Sequence, residues 1–380
     1  MTNNGEINRF VDINGIEEIS KSLNFNKLKG FYNGTLVSDR MNIIRESINY
    51  IRRNWSKYDE FMEEMKTILL STGFDPSRDS SCLESADSLF KKRDWKHVDD
   101  YSLIVLYTDP LFYAKVFKIA SNIFRDDESV DSKKLIQSAV FLVELLNIEL
   151  FNYCNNNPTK SNFSGIVYRG MSVNSSDADG LKNLFDLPLK ERYIAIPLAL
   201  TSASKNEKMS LDFIQKFTKP GVVGVLYRIK VLNLNKKLLK VYRKMFPTSV
   251  VSTICSVDVS EISALPKEEE VLLRGAFLQL LNISPYDRSS ISELLLIDAV
   301  MVNSSRDHIL TAHLGDQDAP ARALFGTIVG ITRASYCRDY CIEHNLRDDA
   351  ESYTELLNDL TEKYESLTNK GRKCCRCNIV

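Results

Sequence analysis

Asn155-Asn156-Asn157-Pro158 divides the chain into two kinds of sequence. Three amides and a proline in a row are loop chemistry, because Asn bonds its own backbone and Pro donates to neither helix nor ladder. Before this stretch apolar residues recur at helical spacing. After it they come in short runs rich in Val, Ile, Leu and Tyr. Immediately upstream, Ser132–Cys154 reads as a long, largely buried helix, and Phe112, Val116, Ile119 and Ile123 stripe another. Farther out, Leu103–Tyr107 leads to Asp109-Pro110, where proline can open a helix at its first turn. Ile44, Ile48, Ile51 and Trp55 share one helical face, as do Phe61, Met65 and Ile68. The turn-rich stretch from Gly73 to Ser81 reads as a linker, so residues 1–95 form a helical N-terminal region.

Downstream, Ile166–Tyr168, Tyr193–Leu200, Val222–Leu232, Val250–Cys255, Val271–Leu281 and Leu294–Val302 read as strands separated by polar loops. Only Leu211–Phe217 interrupts them as a short helix. After Asp307 the helical pattern returns, over Ala323–Ile342 and Asp348–Leu367. In the last of these Tyr353, Leu357, Leu360, Tyr364 and Leu367 make a seam that packs on the body of the protein or on a partner. Helices followed by a run of strands predict an α+β fold rather than alternating βαβ units. The chain then divides into the N-terminal region at 1–95, a strand-rich core at 96–305, C-terminal helices at 306–369 and a basic, Cys-rich tail at 370–380.

Composition narrows the function classes. With 380 residues, 44% hydrophobic and 26% charged, the chain has ample core material for a soluble globular protein. A net charge of -1 argues against a nucleic-acid binder, which would carry a basic excess. The longest apolar stretches, Tyr193–Leu200 and Leu294–Val302, fall far short of the ~20 residues of a spanning helix. The N-terminus, Met1-Thr2-Asn3-Asn4-Gly5-Glu6, has no signal-peptide character, so a cytoplasmic protein is expected. Cys82, Cys154, Cys255, Cys337 and Cys341 are scattered, unlike a disulfide framework.

No phosphate loop, dinucleotide fingerprint or H-E-x-x-H occurs, and His97, His308, His313 and His344 are dispersed, so no metal site is expected. What stands out is an ordered set in the strand-rich part. Tyr168-Arg169-Gly170 places an Arg and a Gly at the end of one strand. Leu200-Thr201-Ser202-Ala203-Ser204 clusters hydroxyls at the end of another, and Pro266-Lys267-Glu268-Glu269-Glu270-Val271-Leu272 sets three acids before a third. Each has an ordinary reading on its own: a salt-bridged edge Arg, hydroxyls that satisfy turn backbone, a solvated acidic run.

Together and in this order, the three motifs resemble those of the arginine-type mono-ADP-ribosyltransferases of the R-S-E class. The resemblance runs from about Tyr101 to Ile283 and includes the helices before the Arg-Gly strand. Leu200 stands where the family usually has an aromatic residue, and Ala203 replaces the middle Thr of its hydroxyl triplet. The resemblance implies a split β-sheet core that cradles NAD, with N-terminal helices and added C-terminal helices. It implies transfer of ADP-ribose from NAD, bound as substrate rather than as a resident cofactor, to arginine side chains of proteins. NAD hydrolysis at the same site, or an inactive lipid-anchored scaffold, are the alternatives.

The same resemblance distributes the roles. Glu270 stabilises the oxocarbenium-like ribose left as nicotinamide departs. Glu268 receives the acceptor guanidinium and takes its proton, and an extended turn would point it the same way as Glu270. Arg169 meets the NAD diphosphate, and Gly170 lets backbone approach the nicotinamide carboxamide. Ser202 holds Glu270 and belongs to the NAD site; Ser204 either joins that site or serves the turn. Phe213 and Phe217 could stack on a base, though core packing suits them better.

The chain given ends Lys370-Gly371-Arg372-Lys373-Cys374-Cys375-Arg376-Cys377-Asn378-Ile379-Val380. Cys377 with Ile379 fits a prenylation signal, Cys374 and Cys375 could be acylated, and the basic residues would favour anionic lipid. That reading places the protein on the cytosolic face of a membrane. A tail with exposed thiols, or a zinc site, are its rivals.

Overall fold

In the computed structural model of the protein, the described residues are 101–109, 146, 149, 150, 153, 154, 156–160, 163–195, 200–217, 219–247, 255–274, 277–286, 293–304 and 319–376. The expected helices of residues 1–95, the stripe from Phe112 to Ile123, residues 250–254 and Cys377 lie outside them. In chain order the elements are α1 (Ser102–Thr108), β1 (Gly165–Asn174), α2 (Ser175–Leu184), β2 (Tyr193–Ala195), β3 (Thr201–Ser204), α3 (Glu207–Phe217), β4 (Val222–Leu232), α4 (Lys236–Met245), β5 (Ser256–Asp258), β6 (Glu270–Leu273), β7 (Phe277–Pro285), β8 (Leu294–Val302), α5 (Ala319–Glu343) and α6 (Arg347–Arg376). The fold is α+β, as the sequence predicts.

All the strands belong to one sheet, ordered β2-β7-β8-β4-β1-β3-β6-β5. Every pairing is antiparallel except β4 with β8. The alternation of β4 explains its central place, since Val223, Val225, Tyr227, Ile229 and Val231 are all buried on one face. β1 pairs with β4 along its whole length, from Gly165↔Val231 to Asn174↔Val222. It meets β3 at a single register pair, Tyr168↔Ser204. The sheet is therefore continuous but almost divided there, into a wide wing ending at β1 and a narrow wing of β3, β6 and β5. Registered neighbours Glu270, Ser204, Tyr168, Arg228, Asp298 and Asn282 run across both wings on one face. Within this row Arg228 forks onto Asp298 at 2.6 and 2.9 Å.

Helix α3 covers that face of β1 and β4, and two glycines let it approach. A Cβ on Gly170 would lie 2.2 Å from the Ser210 carbonyl oxygen, and one on Gly224 would lie 2.7 Å from Ile214. Ile214, Leu226 and Leu294 fill the space between. At the other end of the molecule α5 and α6 fold back on each other through Asn345, whose φ of 58° is left-handed. The predicted seam packs on the body. Tyr353, Leu357 and Leu360 join Leu281, Val300 and Cys337, while Tyr364 and Leu367 join Tyr242, Val302 and Ile328. Among the described residues no helix is long and apolar enough to cross a membrane.

Several expectations need correcting. Val271–Leu281 is not one strand: β6 sits between β3 and β5, whereas β7 sits between β2 and β8. The chain turns at Arg274, whose N–H goes to the Cys255 carbonyl; the apolar stretches on either side are buried and alike, so only Arg274 and Gly275 between them mark the break in the sequence. Helices α2 and α4 were not foreseen. Asn174 caps α2 by accepting from the Asp177 N–H, and Asn235 caps α4 by accepting from Lys237 and Leu238. Helix α6 runs across position 370 to Arg376, with Cys374 and Cys375 on its last turn.

Candidate active site

Proline starts the acidic turn. Pro266 presets the first residue of a 3₁₀ turn over Pro266–Glu268, closed by Glu268 N–H to Leu265 and Glu269 N–H to Pro266. Glu269 then takes a left-handed conformation, with φ 48° and ψ 51°. The turn is thus coiled, not extended, and strand alternation does not relate Glu268 to Glu270. Tertiary bonds hold it instead. The Ser204 hydroxyl donates to the Glu268 carbonyl at 2.5 Å, and the Lys205 N–H to the Glu269 carbonyl at 3.1 Å. Three consecutive acids consequently meet three environments: Glu268 is half-buried, Glu269 is exposed and Glu270 is 4% exposed as the first residue of β6.

Glu270 is the most deeply buried of the three acids. Burial pushes its carboxyl up to about 7, opposed by a hydrogen bond from Ser202, reinforced by the nearby Glu268 charge, and opposed again by Ser263 and Arg169. The Ser263 hydroxyl donates to Glu270 Oε2 at 3.2 Å. Glu268 is also raised above the usual carboxylate range by burial, and the Lys216 ammonium works against that shift. The result is a buried acid that changes charge near neutrality, with a second acid beside it.

Arg169, Ser202, Glu268 and Glu270 come together. Arg169 Nη1 donates to the Ser202 carbonyl at 2.5 Å, bridging β1 and β3 beside the Tyr168↔Ser204 pair. Gly170 stands next to them, but its missing side chain serves packing: the Cβ direction is filled by the α3 backbone at Ser210. Ser204 is buried and bonded to backbone, donating to Glu268 and accepting from the Asn206 N–H at 2.9 Å. Of its two readings, the turn role is the one this geometry fits. Phe213 and Phe217 are not core residues. They are 46% and 49% exposed on α3, 4.8 Å apart, with Lys216 over the Phe217 ring.

Three further residues shape the site without a motif to announce them. Ser263 is one. The others end α1: the Tyr107 hydroxyl donates to the Leu200 carbonyl at 2.6 Å, and Thr108 Oγ1 accepts the Ala264 N–H at 2.8 Å. One helix turn therefore grips both β3 and the acidic loop. Thr108 and Ala264 are 156 positions apart, and nothing local in either stretch signals the contact. Among the described residues no group of three or more His, Cys, Asp and Glu could hold a metal.

No protein-family model and no curated protein sequence matches the chain. Solved structures similar to it include the ADP-ribosyltransferase HopU1 of Pseudomonas syringae, at 16% identity over 53% of this chain and 75% of that one, TM-score 0.33. Vis toxin, an ADP-ribosyltransferase from Vibrio splendidus, is 14% identical over 63% and 85%, TM-score 0.33. The type III effector XopAI from Xanthomonas axonopodis is 14% identical over 68% and 92%, TM-score 0.37.

Proposed function

We propose that this protein cleaves NAD between nicotinamide and ribose and transfers the ADP-ribose to an arginine side chain of a protein. The observation that carries the reading is the convergence on one buried carboxylate, Glu270, of Ser202 from β3, Arg169 from β1 and Glu268 from the acidic turn. Glycoside cleavage needs such a group. As the C1′–N bond breaks, its electron pair leaves with nicotinamide and the ribose gains oxocarbenium character. The ionised Glu270, away from bulk water, stabilises that charge. Arg169 supplies a fixed positive charge at the same place, suited to the NAD diphosphate.

Glu268 serves the acceptor. Its half-buried carboxylate can hold a guanidinium bidentately, and its raised proton affinity makes it a better base. The new bond joins C1′ to a guanidinium nitrogen, and the displaced proton passes to Glu268. With water in place of the guanidinium the same site would hydrolyse NAD. An inactive scaffold has no use for an acid held at a costly, buried position between two hydroxyls.

Labelled NAD with a small guanidinium acceptor separates these readings, by scoring nicotinamide release and ADP-ribose transfer independently. Glu268→Ala should suppress transfer by at least ~10-fold more than it suppresses NAD hydrolysis. Equal loss of the two activities would place Glu268 on NAD itself and remove the support for an arginine acceptor.

A further inference from the structure

We infer that Ser263 is a positioning residue for Glu270, whose hydroxyl fixes the orientation of that carboxylate and favours its ionised form. The inference rests on the NAD-cleavage reading above and adds a residue that none of the three motifs contains. Ser263 sits seven positions before Glu270, in the loop between β5 and β6, and is 6% exposed. Its hydroxyl already accepts the Leu265 N–H at 3.1 Å. That bond occupies a lone pair on Oγ and leaves the hydroxyl proton directed to Glu270 Oε2 at 3.2 Å.

The loop itself is anchored, so the hydroxyl has little freedom to turn away. The Val259 carbonyl accepts the N–H groups of Ile262 and Ser263 at 3.0 and 2.8 Å, and Val259 N–H returns to the Glu270 carbonyl at 3.0 Å. Thr108 Oγ1 then takes the next N–H, that of Ala264. The Ser263 backbone is thus bonded to the start of its own loop at Val259, and the next residue is bonded to α1 at Thr108. Ser202 reaches Glu270 from the sheet and Ser263 reaches it from the loop, and two donors from different directions define a carboxylate plane where one leaves it free to rotate.

The chemistry gives this second donor a purpose. Burial drives Glu270 toward its neutral form, and a neutral acid cannot stabilise an oxocarbenium. The charged groups acting on it are Glu268, from the acidic turn, which adds to the burial effect, and Arg169, from β1, which opposes it. Ser202 from β3 and Ser263 from the loop also oppose it, because both donate to the ionised oxygens. Removing one donor moves the balance toward the neutral acid.

The test is the pH dependence of nicotinamide release, with kcat and KM for NAD resolved, in the full chain and in Ser263→Ala, Ser263→Cys and Ser263→Thr, alongside thermal melts. The parent kcat should rise through pH ~7 as Glu270 ionises. In Ser263→Ala that limb should move alkaline by about one pH unit, lowering kcat near pH 6 by ~10-fold with KM nearly unchanged and activity recovering at high pH. Ser263→Thr should restore the parent profile. If the alanine protein does not fold, the near-isosteric Ser263→Cys, a weaker donor, decides with a smaller alkaline shift. A purely structural serine would lower the melting temperature without moving the limb, and an unmoved limb in a folded Ala or Cys variant overturns the inference. Glu270→Gln run in parallel keeps the two claims apart. If it retains NAD cleavage, the function reading fails; if it is inactive while Ser263→Ala follows the parent profile, only the role of Ser263 fails.

Discussion

Glu270→Gln is expected to lower nicotinamide release by ~10²–10³-fold in a protein that remains folded and, at pH 8, melts at a higher temperature than the parent. Gln matches Glu in shape and keeps one oxygen that accepts a hydroxyl proton, while its NH2 takes the place of the second acceptor. The charge is lost, and with it the group proposed to meet the developing oxocarbenium. The stability gain has the same origin. In the folded protein the Glu270 carboxyl titrates near 7, above an ordinary glutamate near 4.5. Between those values the folded state holds a proton that the unfolded state has released. The contribution of Glu270 to stability is therefore fully present below pH ~4.5 and is lost as pH rises through about 7. For a group this buried the loss is on the order of 2–3 kcal/mol. A permanently neutral Gln escapes it, so the melting difference between variant and parent should be near zero at pH 4.5 and grow toward pH 8. Near-normal NAD cleavage by the folded variant would refute the assignment of Glu270, and a melting difference independent of pH would refute the account of its environment.

The second large effect concerns Gly170→Ala. The added Cβ would stand 2.2 Å from the Ser210 carbonyl oxygen and 2.8 Å from Ile214 Cγ1. The first of these is helix backbone, which has no rotamer to retreat into, so α3 must lift from β1 and β4. Overpacking of this kind costs ~1–3 kcal/mol and sometimes more, a fall of several degrees in melting temperature. The lift also disturbs the connection from Ser204 to Glu207, and with it the Ser204 bond that holds Glu268. Reduced activity should therefore accompany reduced stability. The reading in which Gly170 is small for the sake of the nicotinamide carboxamide makes the opposite forecast: an unchanged melt with a raised KM for NAD. Measuring both quantities on the one variant decides between packing and ligand approach.

The strand-rich core was legible because buried strands leave a strong local mark. Val222–Leu232 and Leu294–Val302 have the same ends in the sequence reading and in the structure, since each is a long apolar run bounded by polar residues. The seam of α6 was legible because its apolar side chains repeat at helical spacing. The caps of α2 and α4 are present in the sequence as Asn174 and Asn235, but each lies at or just past the end of a strand, and the strand's apolar pattern is the stronger local signal. The three motifs are also readable, and Arg169, Ser202, Glu268 and Glu270, which they contain, lie together in the structure.

The sequence by itself determined which residue types are available and many of the segments that become strand or helix. Those properties are local: they depend on side-chain branching, turn chemistry and the period of apolar residues. It put Arg169 and Ser202 at strand ends, whereas Arg169 lies in the middle of β1 and Ser202 inside β3; only Glu270 begins its strand. Only the tertiary structure decided that Glu268, Glu269 and Glu270, adjacent and chemically alike, differ in burial, and that burial raises the proton affinity of Glu268 and Glu270. It alone decided that Ser204 pins the turn, that Gly170 yields to α3, that Phe213 and Phe217 face outward, and that Thr108 and Ser263 support the site. The reason is physical. Burial, electrostatic environment and hydrogen-bond direction are set by whatever the fold brings alongside; apart from Glu268 and Ser263, the neighbours that matter here come from β1, β3, α1 and α3, tens of residues or more away along the chain.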